Sequence, residues 1–154
     1  MFDADVMAVF NAADVAAQGA VLTSASLNAV PGTTNGAVPA VGTSGTDTLP
    51  AGTMVALVAM VETVPFVSGS ATSLTIKVGD TGSNVRYLAA TQLQSGQTPV
   101  QYAVGVIANQ PYIYTAADKI QVVFVSVTAN LSTFTAGEVV LYFKCQDVTQ
   151  LPIR

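Results

Sequence analysis

The chain has 154 residues, 9 acidic and 5 basic, no His, no Trp and one Cys, and only 9% of its positions are charged, against about a quarter in an ordinary soluble domain. Without His there is no Ser-His-Asp or Cys-His centre and none of the His-containing sites typical of catalytic zinc; with a net charge of −4 and Lys77, Arg86, Lys119, Lys144 and Arg154 scattered, no basic cluster exists to grip nucleic-acid phosphates. A chain of this size fits one domain with a sizeable core, and its 24 Val and 18 Thr point to an all-β fold.

The first five residues, Met1 to Asp5, are acidic where a secretory signal is basic, so no export address is expected. Residues 5 to 17 place Val6, Val9, Phe10 and Ala13 at helical spacing, with Asp3 or Asp5 as N-cap and Gly19 beyond the end. This predicts a short N-terminal helix or arm within residues 1–19, ahead of a single β-domain over 20–154. A helix this short needs a partner surface, which makes Phe2, Val6, Val9 and Phe10 candidate anchors on another subunit. From Ala29 to Gly52 the chain carries Pro31, Pro39, Pro50 and five glycines with no hydrophobic period, the composition of a long irregular loop available for contacts.

Thr53 to Val64 is apolar on both faces, and its continuous apolar run, Met54 to Val61, is far shorter than the ~20 residues of a membrane helix. It is expected as a buried strand. Leu74 to Val78 alternates, Asp80 to Asn84 forms a turn, and Val85 to Ala90 returns as a hairpin partner. Val100 to Ala108, Tyr112 to Thr115 and Lys119 to Thr128 follow. In the last strand, Glu138 to Cys145, the residues Val139, Leu141, Phe143 and Cys145 share one face, with Gly137 as the turn before it. Cys145 is expected as a small core group, since a lone cysteine forms no intrachain disulfide. Seven or eight short strands without crossover helices predict an antiparallel β-sandwich of jelly-roll type.

One string has a catalytic look. Asp80-Thr81-Gly82-Ser83 resembles the Asp-Thr-Gly signature of aspartic proteases, in which two carboxylates share a proton. Gly79, however, stands where that pattern carries an apolar residue, and Asp-Gly turns join hairpin strands for backbone reasons alone. Asp80, Asn84, Asp118 and Asp147 are oxygen donors of the kind Ca²⁺ takes, but no calcium-loop spacing connects them. Neither GxGxxG nor GxxxxGK[ST] occurs. No catalytic residue, cofactor or metal is therefore expected. Tyr112 and Tyr114 alternate around Ile113 and are candidates for a protein contact, or alternatively for a sugar platform.

The segment Tyr114-Thr115-Ala116-Ala117-Asp118-Lys119-Ile120-Gln121-Val122-Val123-Phe124, followed by Ala129-Asn130-Leu131 and Thr135-Ala136-Gly137-Glu138-Val139, resembles a pattern in small structural proteins of tailed bacteriophage virions, and the Leu74-to-Leu88 hairpin is similar too. The resemblance implies a capsid decoration or cement subunit that contacts the major capsid protein and copies of itself, as a homotrimer, in the virion and in the bacterial cytoplasm during assembly. A neck, tail or fibre-tip part is the structural alternative. On either expectation there is no nucleic-acid, membrane or small-molecule partner.

Overall fold

The computed structural model describes residues 6–16, 24–29, 49–93 and 111–150. These residues form β1 (Val6–Asn11), α1 (Ala12–Ala16), β2 (Ser24–Ala29), β3 (Thr53–Ser68), β4 (Ser73–Gly79), β5 (Leu88–Gln92), β6 (Tyr112–Ile113), β7 (Ile120–Val127) and β8 (Phe134–Asp147). A first sheet has the order β1-β8-β3-β6 and a second the order β2-β7-β4-β5. The pairs are nested: β1 with β8, β2 with β7, β3 with β6 and β4 with β5, all antiparallel. Further antiparallel ladders, β3 with β8 and β4 with β7, complete the two sheets. A long antiparallel ribbon rolled so that its two halves face each other is a jelly roll, the arrangement that lets strands apolar on one face bury that face without crossover helices.

The expected alternation is present. Leu74, Ile76 and Val78 of β4, Ile120, Val122 and Phe124 of β7, and Val139, Leu141 and Phe143 of β8 are buried between the sheets, with Cys145 at the margin of that core. Phe10 meets Phe124 edge-on across the core at 5.8 Å between ring centres, and Phe66 lies 6.3 Å from both Phe124 and Phe134.

Three expectations are corrected. The predicted helix over residues 5–17 is instead a strand through Asn11, and only Ala12–Ala16 is helical. Every residue of β1 opposes one of β8, from Val6↔Phe143 to Asn11↔Glu138. Valines and an aromatic are at ease in a strand, and the period of two that buries Ala8 and Phe10 prevails over the 3.6 spacing once an edge is there to pair with. The helix cap is Asn11 rather than Asp3 or Asp5. Its Oδ1 accepts the Asp14 N–H at 2.9 Å while Asp14 Oδ2 accepts the Asn11 N–H at 2.9 Å, a reciprocal capping box. Gly137 is not a turn but lies inside β8 at φ +140, where a β-carbon would come within 2.2 Å of the Phe66 ring. The glycine is needed because an aromatic side chain occupies its place. Phe2, residues 30–48 of the expected loop, and the expected strand over Val100–Ala108 lie outside the described residues.

Candidate interaction surface

The Asp-Thr-Gly string lies in the connection between β4 and β5, residues 80 to 87, which is longer than expected because Val85 to Tyr87 belong to the turn and β5 starts at Leu88. Gly79 ends β4 where a β-carbon would fall 2.0 Å from the Ser83 carbonyl oxygen, so the fold-back itself accounts for the residue that departs from the protease pattern. Asp80 is 1% exposed. Its Oδ1 accepts the N–H groups of Gly82 at 3.0 Å and Ser83 at 2.8 Å, and its Oδ2 accepts from Arg86 Nε and from the Tyr114 hydroxyl at 3.2 Å. Since Tyr114 gives its proton to Asp80, the Tyr87 hydroxyl, 2.8 Å away, donates to the Tyr114 oxygen. Burial raises the pKa of both tyrosines, so they remain proton donors. The hydrogen bond to Asp80 raises that of Arg86.

Such an arrangement orders a turn. The carboxylate is enclosed and met by four donors, so it has no free oxygen to offer a water or a scissile bond, and charge-assisted bonds of this kind fix geometry strongly. Thr81 reaches across to Asp118 at 2.6 Å, tying the β4–β5 turn to the chain ahead of β7. Among the described residues no group of three or more Cys, Asp or Glu is placed to hold a metal ion.

Among the expected contact residues, Tyr112 in β6 and Tyr114 just after it do turn to the same side, but it is the inner one. Tyr114 is 2% exposed, and Tyr112 is half-buried with the Arg86 guanidinium 3.8 Å over its ring and the Tyr114 ring edge-on at 5.1 Å. One face of Tyr112 is thus covered by a cation of its own chain. Ile113 between them is the exposed residue, at 47%. Phe10 is fully enclosed in the core. These placements correct Phe10 and Tyr114 as contact residues: both are consumed by packing within the domain. Val6 opens β1 opposite Phe143. Val9 is half-buried and alternates with the inward Ala8 and Phe10, so it faces outward.

Val9 belongs to a larger surface. On the outward side of the first sheet it lies level with Val140 and Val61, and the next row is Met7, Tyr142 and Ala59. Ala56 is opposite Lys144, and Met54 opposite Ile113. An antiparallel sheet with a solvated face carries polar residues there; this one carries Val, Met, Ala and Tyr, with Met7 42% exposed but Val140 and Ala59 buried at 4% and 0%. The ionisable groups on these rows of β8 are Glu138, which accepts the Thr63 hydroxyl at 2.5 Å, and Lys144. Sequence reading named only Val9 here. A signal for the rest was present in the apolar run Met54 to Val61: a sandwich strand apolar on both faces has its second face against something. Comparison with protein-family models, with curated proteins and with solved structures gives no match.

Proposed function

We propose that the chain is a virion structural subunit, a decoration or cement protein of a tailed bacteriophage that lies on the head shell, braces neighbouring capsomers, and contacts the major capsid protein and copies of itself. The observation that carries this reading is the apolar outward face of the first sheet. A flat β-surface of small and branched apolar side chains forms dry contacts without desolvating charges, and many identical subunits multiply a modest contact into a large total stabilisation. The jelly roll supplies a stiff body of a kind that capsids use. In this role no residue performs chemistry, and the buried Asp80 network serves to hold the β4–β5 turn in shape.

The test is the intact particle of the phage that encodes the chain. Quantitative mass spectrometry and imaging are expected to find the protein on the head in hundreds of copies. Washing at about 1 M salt, where charges are screened beyond ~3 Å, is expected to leave it attached. A copy number equal to a ring or fibre multiple would move it to the neck or tail. Absence from particles, or release by salt alone, would overturn the proposal.

A further inference from the structure

We infer that the free edge of β1 pairs with β1 of a second copy of this chain, antiparallel about a two-fold axis at Ala8, so that the two first sheets join into one continuous sheet. β1 ends the strand order of its sheet, and among the described residues no strand pairs with its far side. Two observations fix which main-chain groups point there. The Asn11 N–H is taken by Asp14 Oδ2, and the carbonyl of Glu138, the residue opposite Asn11, accepts the Thr63 hydroxyl of β3 at 3.4 Å, so this pair exchanges no ladder bonds between β1 and β8. Such bonds alternate along an antiparallel pair. Val6, Ala8 and Phe10 therefore bond to β8, and the N–H and C=O groups of Met7 and Val9 face away from it. Met7 is 42% exposed and Val9 half-buried, and α1 packs toward β8 and the Leu131–Thr133 turn, away from this edge.

Unpaired main-chain groups along an edge are answered by one kind of occupant, an extended strand, and β1 is its own complement. With Ala8 on the axis, Met7 of each copy lies opposite Val9 of the other. These are the residues with outward groups, so each Met7 exchanges both of its main-chain bonds with a Val9, the self-complementarity an isologous contact requires. A register centred on Val9 would instead call on the Asn11 N–H, which Asp14 holds. The pair on the axis is of the close, non-hydrogen-bonded kind, and there Ala8 presents only a methyl group from each side. Edges in natural sheets are guarded by charge, proline, a bulge or brevity. β1 has none of these guards: it carries no charge and no proline, and runs in unbroken one-to-one register with β8. By contrast β6 is only two residues long, β5 pairs through an irregular register, and β2, as long as β1, reads Ser-Ala-Ser-Leu-Asn-Ala. Two strand edges bury far less than the ~800 Å² that each partner brings to a standard interface, so the dimer is weak and concentration-dependent. It is two-fold, where the sequence resemblance implied a trimer.

Sedimentation equilibrium of the full chain over a range reaching about 1 mM is expected to show a monomer–dimer equilibrium. Val9→Pro removes an N–H that β8 does not use, at the kind of edge position where a strand tolerates proline. It breaks two symmetry-related bonds and is expected to weaken the dimer at least tenfold, roughly. Met7→Lys guards the edge with charge and is expected to weaken it several-fold, and circular dichroism melts of both variants separate a loss of pairing from a loss of fold. Ile113→Lys, on the opposite edge of the same sheet and of similar exposure, is expected to pair as the parent does. The register is read by oxidation in a Cys145→Ala background: Met7→Cys mixed with Val9→Cys is expected to cross-link, and neither alone. Like positions are offset by two residues, about 7 Å along the strand, in addition to the spacing between strands, which exceeds a disulfide's reach. A monomer throughout, a trimer, folded Val9→Pro and Met7→Lys variants that pair as the parent does, a folded Ile113→Lys variant that does not pair, or cross-links between like positions would each overturn the inference. It does not depend on the virion proposal: a dimer absent from particles leaves the pairing intact and removes only that proposal.

Discussion

The Asp80 cluster and the outward face of the first sheet are opposites. One gathers a carboxylate, a guanidinium and tyrosine hydroxyls in a small buried volume, and nearly every polar atom is answered within the chain. The other is built from valine, alanine and methionine and keeps part of its apolar surface in water, with Met7 and Ile113 more than two-fifths exposed while Val140 and Ala59 are buried. The residues with a chemical look are scaffold, and the bland ones are where apolar surface stays exposed. The physical reason is satisfaction: a buried polar group is stable only once its partners are found inside, after which it has nothing to offer a ligand, whereas exposed apolar area is relieved only by contact.

The largest effect that sharpens this contrast is Asp80→Ala. It strands Arg86, two turn N–H groups and the Tyr114 hydroxyl, and is expected to cost about 3 kcal/mol in urea unfolding. A near-neutral result would deny the cluster its scaffolding role. Tyr114→Phe removes one donor to Asp80 and the acceptor for Tyr87, for an expected loss of about 1.5 kcal/mol by the same measurement.

A second buried carboxylate offers a control. Glu62 is 3% exposed, and among the described residues its hydrogen-bond donor is the Phe66 N–H at 3.2 Å. Burial raises its pKa above the ordinary 4.5, only partly offset by that bond. For an acid with a raised folded pKa, the favourable contribution is complete below the unfolded value and is lost as pH rises through the folded one. Stability of the parent relative to Glu62→Gln is therefore expected to fall from pH 4 toward neutrality, read as denaturant midpoints across that range; parallel curves would contradict the assignment. The smallest effect on stability belongs to the outward face. Met7→Lys is expected to change unfolding free energy by about 0.5 kcal/mol or less, and a stability loss comparable to that of Asp80→Ala would show that Met7 is core.

Much of the jelly roll was legible in the chain. The alternation in Leu74 to Val78 and in Val139 to Cys145 gave strands and their inward faces, because a period of two is a local property of extended backbone. The Asp80 turn was equally legible, and Gly79 marked it. The strand at Val6 to Asn11 was not, since the same apolar positions fit a helix until β8 provides an edge. Nor was Gly137, whose need for glycine arises from Phe66, seventy-one positions earlier in the chain.

By itself the sequence determined an all-β, charge-poor domain without His-based chemistry, since composition and periodicity act on each residue where it stands. Tertiary structure alone decided which tyrosines turn inward, that Asp80 is answered by Arg86 and Tyr114, and that Met7, Val9, Val140 and Tyr142 share one outer surface. Those outcomes depend on strand order and register, which bring distant segments side by side and are written in no local stretch of chain.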